Sequence, residues 1–397
     1  MASSAASSAS SLSNAIPTLP PAREIPSTFA ASVKSWWSAG DKEGAASEER
    51  LLRKLPYFRP AGSPTTSPDG ASPVVARSSR IDLSDPKKYI NTFAIESTTP
   101  SPQAPPPAIV LHGYGAGLGF FFQNFPALGR WAGSRGTSLY ALDWLGMGRS
   151  ARIPFRVKAK RDNISGRVTE AESFFIDSLE EWREKMGLEK MTLIGHSLEY
   201  SREVADDPVS GASDADHAEV ASMKSVESMR AGQRAEKRKE SRSRRFFTYL
   251  WEEGFSPFQV VRSSTFLSPW LVGKYSSRRF IGLGADDTKA MHEYILNITL
   301  AKGSGEYCIS HLLAPGAHAH LPMVDRIAAL KIPVTFIYGD SDWMDPEGGT
   351  ASVENLRQAG NGHGRMYIVP HAGHHLYLDN PKATNELLIK ELDRRHV

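Results

Sequence analysis

Met191-Thr192-Leu193-Ile194-Gly195-His196-Ser197-Leu198 begins as a short apolar run and ends on a serine two residues past a glycine. A run of that length stopping at a glycine has the pattern of a buried strand. Gly-x-Ser directly after it supplies the first four-fifths of a GxSxG elbow, the sharp strand-to-helix turn that exposes a serine hydroxyl at the rim of a sheet. The helix that starts there aims backbone N–H groups at the oxyanion that forms when the hydroxyl attacks a carbonyl.

The same grammar extends to both sides. Short apolar runs ending in turn residues stand at Lys88 to Ile95, Ala108 to Leu111 and Ser138 to Leu142. Between the last of these and Met191, Phe174, Phe175, Leu179 and Trp182 are spaced for one face of a helix over Glu170 to Met186. Late in the chain Val334 to Tyr338 ends in Gly339-Asp340, Arg365 to Val369 ends in Pro370-His371, and a helix is expected from Pro381 to about Arg394. Strands alternating with helices predict an α/β fold with a mostly parallel central sheet, whose ligands bind beyond the carboxyl ends of the strands.

A serine hydroxyl is a weak nucleophile near neutral pH and needs an imidazole held by a carboxylate. In this chain order the acid and then the histidine should follow the serine. Asp342 stands after one late strand and His374 after the next, giving Ser197, Asp342 and His374 as the candidate catalytic residues. Asp340 and Asp345 are rival acids, and His371 and His375 rival bases. Asp342 is preferred because it lies three residues beyond the strand-ending Gly339, and His374 for its Gly-His context. His112-Gly113-Tyr114-Gly115-Ala116-Gly117, after the strand ending at Leu111, would complete an oxyanion hole, with the amides of Tyr114 and Leu198 as donors. A phosphate-cradling loop is the other use of such glycines, but no GxxxxGK[ST] or GxGxxG follows, so no nucleotide is expected.

Composition narrows the field. The formal charge of +3 over 397 residues is too small to imply nucleic-acid binding. The single Cys308 precludes an internal disulfide, and no Cys/His spacing suits zinc, so neither disulfide staples nor a structural metal is expected. No run approaches the roughly 20 apolar residues that span a bilayer, so membrane contact would be peripheral. The first forty residues share serine enrichment and acid depletion with mitochondrial transit peptides but are poorer in arginine. The expected location is mitochondrial or cytoplasmic, with membrane association. Oligomeric state is not readable.

Several motifs together carry a family resemblance: His112 to Gly117, Phe120-Phe121-Phe122-Gln123-Asn124-Phe125, Leu142-Asp143-Trp144-Leu145-Gly146-Met147-Gly148-Arg149-Ser150, Tyr338 to Asp345, and Gly373-His374-His375-Leu376-Tyr377-Leu378-Asp379-Asn380-Pro381. With the early Trp36-Trp37 they resemble the α/β-hydrolase family of the cardiolipin-specific deacylase, the lysophosphatidate acyltransferase-like proteins and the abhydrolase-domain lipase coactivators. The resemblance implies serine-dependent hydrolysis of acyl esters in phospholipids or lysophospholipids, without a metal or organic cofactor. It implies two alternatives as well: a catalytically impaired lipid-binding regulator, or acyl transfer to lysophosphatidate, which the family links to an HxxxxD pattern, here His374 and Asp379.

The chain departs from that pattern after Leu198. Glu199 stands where the elbow's second glycine is expected, and a further helix and central strand are missing, so the sheet should lack one strand-helix unit. The expected organisation is a low-complexity N-terminal segment over 1–77, interrupted by Ser35-Trp36-Trp37 and a short helical pattern through Glu48 to Leu52, then the first half of the α/β-hydrolase domain over 78–200, a polar insertion over 201–245, a helical cap over 246–320 and the second half over 321–397. Phe120, Phe121 and Phe122, with cap aromatics, suit either the wall of an acyl-chain pocket or ordinary core packing. Arg234, Lys237, Arg238, Lys239, Arg242, Arg244 and Arg245, running into Phe246 and Phe247, suit an anionic membrane surface, although a solvated linker is the commoner meaning of such a run.

Overall fold

Five strands of the first half lie in one sheet in the computed structural model, which describes residues 19–61, 63, 72–197, 248–251, 253–315 and 317–394. They are β1 (Val74–Asp82), β2 (Tyr89–Ser97), β3 (Ala108–Leu111), β4 (Ser138–Leu142) and β5 (Thr192–Gly195), in spatial order β1-β2-β4-β3-β5. β3 is apolar and buried along its whole length, as a central strand covered on both faces must be. It runs parallel to β4 and to β5, whereas β1 pairs with β2, and β2 with β4, in the antiparallel sense. The sheet is therefore mixed where a mostly parallel one was expected. The antiparallel joints come from β1 and β2, which are consecutive and linked by a short turn, so no crossover helix separates them.

The helix after β4, Ile164–Lys185, begins where Asn163 accepts a hydrogen bond from Gly166 N–H, and it buries Val168, Ala171, Phe175, Leu179 and Trp182 on one face. Trp182 is fully buried and donates through its indole N–H to Thr92 at 3.0 Å, fixing the helix against β2. A short hairpin, β6 (Leu313–Ala314) and β7 (His318–Ala319), precedes the second half, in which β8 (Val334–Gly339) and β9 (Gly364–Val369) pair in parallel around the helix Pro346–Gln358. Among the described residues no strand joins β5 to β8, so two sheets stand where one would be continuous. The stretch after the elbow, where a strand-helix unit is expected to be lacking, lies outside the described residues. Leu193 of β5 is half exposed although its stretch reads as buried strand.

The segment before β1 differs from its expected low-complexity character. Helices α1 (Phe29–Ser38) and α2 (Asp41–Leu52) lie within it, and Leu51 and Leu52 of α2 are fully buried in the main core. Glu48 is buried too, paired with Arg149 at 2.6 Å and receiving an amide hydrogen bond from Asn91 at 2.9 Å. α2 packs along the helix Ala285–Leu300, itself buried from Ala290 to Thr299. Alanine, serine and glycine dominate α1 and α2, so their apolar stripe is short and only the packing partner makes it recognisable.

The region expected as a cap is helical over Pro257–Ser263, Ser268–Arg279 and Ala285–Leu300. The polar insertion and its basic run, including Phe246 and Phe247, lie outside the described residues. No helix among the described residues is long and apolar enough to cross a membrane.

Candidate active site

Each segment that carries a candidate catalytic residue falls beyond the carboxyl end of a strand. Ser197 follows β5, the His112 to Gly117 loop follows β3, Asp342 follows β8, and His374 follows β9. Ser197 has φ of 59°, in the left-handed region that a non-glycine residue occupies only when its surroundings impose it. The turn aims the hydroxyl outward, and Ser197 Oγ stands 2.5 Å from His374 Nε2. On the far side of the ring His374 Nδ1 is 3.0 Å from Asp342 Oδ1. A carboxylate can only accept, so Nδ1 carries the proton and Nε2 faces the hydroxyl as an acceptor. The side chains of Asp342 and His374 are nearly buried, and Trp343 lies over the imidazole with ring centroids 4.9 Å apart.

The rival acids have other duties. Asp340 accepts the backbone N–H of His371 at 2.8 Å and of Ala372 at 3.1 Å, which holds its carboxyl below the ordinary range and ties the loop after β9 to the loop after β8. Asp345 caps the helix Pro346–Gln358 through Glu347 N–H. Asp379 meets the imidazole of His374 in no hydrogen bond. It accepts Gly373 N–H at 3.0 Å and pairs with Arg279 at 2.8 Å, so the two ends of the HxxxxD pattern are not joined, and Asp379 instead braces the backbone beside His374. Of the rival bases, His371 occupies a turn at φ 54°, and His375 is packed against Phe120 and the ring of His196. Burial holds His375 far below the ordinary histidine range, in the neutral form.

Two close contacts hold the loops of the site together. The His196 ring donates through Nε2 to the carbonyl oxygen of His374 at 2.9 Å, so the residue before the serine grips the backbone of the residue that faces it. Burial lowers its pKa to about 3, keeping the ring neutral in this role. Gly113 makes the other link: a Cβ there would lie 2.7 Å from His196 Nδ1 and 2.9 Å from Ser197 Cβ, so only glycine lets the loop after β3 approach the elbow this closely.

The orientation of that loop is set from behind. Buried His112 accepts Trp144 N–H through Nε2 at 3.2 Å and donates through Nδ1 to the Gly113 carbonyl at 2.8 Å. In a trans peptide the N–H points opposite to the C=O, so the Tyr114 amide points away from His112. Among the described residues that amide has no acceptor. Asp143 buttresses the arrangement by accepting Leu118 N–H at 2.7 Å and Arg149 N–H at 2.8 Å. Leu198, the other expected donor, lies outside the described residues. The contributions of His196, His112 and Asp143 were not read from the sequence, although each sits inside a motif that was.

Phe120, Phe121 and Phe122 do not line an open pocket. All three are buried in the main core, Phe120 against Phe280 and Tyr294 and Phe121 stacked on Tyr377 at 4.4 Å, so the expected acyl-chain wall is corrected to core packing. Among the described residues no group of side chains is arranged to hold a metal ion.

Comparison with known proteins shows the family of the chain. Residues 106–198 match the family model described as the alpha/beta hydrolase fold. A 1-acylglycerol-3-phosphate O-acyltransferase of Arabidopsis thaliana is 31% identical over 357 residues, covering 85% of this chain and 77% of the relative. The 1-acylglycerol-3-phosphate O-acyltransferase ABHD5 of Sus scrofa is 30% identical over 300 residues, covering 72% of this chain and 77% of the relative. Among solved structures, carboxylesterase CesB of Bacillus subtilis aligns with a TM-score of 0.45 at 14% identity, covering 88% of this chain and 98% of that one. With relatives this similar over most of its length, the chain belongs to the ABHD5-like family of α/β hydrolases.

Proposed function

We propose that this protein carries out serine-dependent acyl chemistry on phospholipid or lysophospholipid esters. The observation that supports the reading is the relay of Ser197, His374 and Asp342 at 2.5 and 3.0 Å on a turn with positive φ. In this mechanism Ser197 Oγ attacks the ester carbonyl as its proton passes to His374 Nε2, and Asp342 stabilises the imidazolium that results. The amides of Tyr114 and Leu198 receive the oxyanion. Collapse returns the proton to the leaving alkoxide and leaves an acyl group on Ser197.

A second nucleophile then removes the acyl group. Water gives hydrolysis, and a lysophosphatidate hydroxyl gives transfer. The names of the relatives, 1-acylglycerol-3-phosphate O-acyltransferases, support transfer as the second reading, and both fates use the same three side chains. Incubating the protein with a radiolabelled acyl phospholipid, with and without lysophosphatidate, separates them. Free fatty acid in both mixtures marks hydrolysis, and labelled phosphatidate only when lysophosphatidate is present marks transfer. No product in either mixture, with liposome binding intact, would favour a lipid-binding regulator without turnover.

A further inference from the structure

A small cavity of about 20 Å³ lies beside the loop after β3, lined in part by Gly115, Gly148, Arg152, Phe258, Arg262 and Glu306. Two guanidinium groups and one carboxylate meet there. Arg262 pairs with Glu306 and reaches Tyr307 Oη at 3.4 Å, while Arg152 stands 4.0 Å from the same carboxylate and donates to the carbonyls of Gly148 and Ile298. Glu306 is itself buried and accepts Ser304 N–H at 2.8 Å. Among these three side chains cations outnumber carboxylates two to one, and the buried Asp143 carboxylate acts on Arg152 from outside the cavity lining. One guanidinium donor is unmet: Arg152 Nε is buried with no acceptor among the described residues. A buried N–H of this kind calls for an oxygen acceptor that is not supplied by the protein.

We propose that this cluster receives the phosphate of the substrate, with Arg152 and Arg262 as its ligands. The proposal rests on the lysophospholipid reading above and deepens it by placing the headgroup. Planar guanidinium groups bind phosphate through paired N–H donors, and two of them converge here. Position favours the assignment too. Gly115 is two residues from Gly113, which touches the elbow, so the cavity lies within about 7.6 Å of chain from the point of nearest approach to Ser197. That span is of the order of the glycerol backbone separating the phosphate of a lysophosphatidate from its ester carbonyl. The cavity holds no more than a water as it stands, because the Phe258 ring fills the space over Gly115, where a Cβ would meet it at 2.0 Å. Phe258 belongs to the helix Pro257–Ser263, which buries none of its residues, so the ring can swing out at small cost when the headgroup enters.

The test separates headgroup binding from chemistry by using full-length protein carrying Ser197→Ala, which cannot turn substrate over. Calorimetry would measure its affinity for 1-hexanoylglycerol-3-phosphate and for 1-hexanoylglycerol. The expected result is that the phosphate ester binds about tenfold more tightly or better, that inorganic phosphate displaces it, and that adding Arg262→Gln abolishes the preference. Arg262→Lys, which keeps the charge but not the fork, should retain part of it, and displacement by inorganic phosphate tests the site even if Arg262→Gln does not fold. Equal affinity for the two ligands, no binding of either, or a preference indifferent to inorganic phosphate would overturn the proposal. Phosphate-selective binding in a protein whose wild type turns over no ester would sink the catalytic reading and leave this one standing.

Discussion

Gly113→Ala places a methyl group between the loop after β3 and the elbow. The new Cβ would lie 2.7 Å from His196 Nδ1, 2.9 Å from Ser197 Cβ and 3.1 Å from the His196 carbonyl oxygen. Carbon atoms settle at about 3.5–4.0 Å, so the loop must retreat from the serine by roughly 0.6–1 Å. The Tyr114 amide retreats with it. A hydrogen bond to the oxyanion of about 2.9 Å then stretches to about 3.5 Å or more, where it has lost most of its strength. Losing one such donor lowers turnover about 10²–10³-fold, or about 2.7–4 kcal/mol of transition-state stabilisation. Overpacking itself costs about 1–3 kcal/mol of stability, so the variant should melt at a lower temperature but still fold. Initial rates on a short-chain p-nitrophenyl ester, with a melt of each protein alongside, give the measurement. The fall is expected in kcat with KM within a few-fold, because the oxyanion exists only along the reaction path. A folded Gly113→Ala protein with kcat within about threefold of the wild type would refute the placement of the Tyr114 amide opposite Ser197.

Other outcomes follow from the same contacts. Asp342→Asn, which can no longer hold His374 with its proton on Nδ1, should lower kcat about 10⁴-fold while leaving the melting temperature near that of the wild type, read by steady-state kinetics and calorimetry. Leu51→Ala in α2, at a fully buried site, should cost about 2–5 kcal/mol in urea unfolding; a cost near zero would show that the N-terminal helices are not part of the core. Asp340 has a folded pKa below its unfolded value, so its stabilising effect is present above about pH 4 and is lost as the pH falls through the lowered value. Melting curves of Asp340→Ala should therefore fall below those of the wild type at pH 7, and the gap should narrow as the pH is taken below about 4.

How much of this could be read in advance depended on where each element sits. β3 and β4 were legible to the residue because four or five consecutive apolar side chains between turn residues can only be buried strand. β1 was missed: Arg77-Ser78-Ser79-Arg80 in its middle hides a strand at the sheet's edge, which need bury only part of one face. Of α2 only the short helical pattern through Glu48 to Leu52 was legible; its first half and α1 were hidden by alanine and serine, whose burial depends on partner helices more than two hundred residues away in the chain. Ser197, Asp342 and His374 could be chosen because each closes a strand. What brings their loops within reach of one another could not. The His196 clamp on the His374 carbonyl and the lock of Asp340 on the amides of His371 and Ala372 are side-chain to backbone bonds across loops distant in the chain, and the ring of His112 that turns the neighbouring Gly113 peptide is itself held by the distant Trp144 amide. No spacing rule announces such bonds. Phe120 to Phe122 failed in the opposite way, since aromatic residues beside an oxyanion loop serve a core and a pocket equally well in a sequence.

The central claim is that the Ser197 hydroxyl is activated by His374. Treating the intact protein with a fluorophosphonate and identifying the modified peptide by mass spectrometry tests it directly. The account predicts a single phosphonyl adduct on Ser197, absent in Ser197→Ala and formed far more slowly in His374→Ala. A folded wild-type protein whose Ser197 stays unmodified, or is modified just as fast without His374, would contradict it.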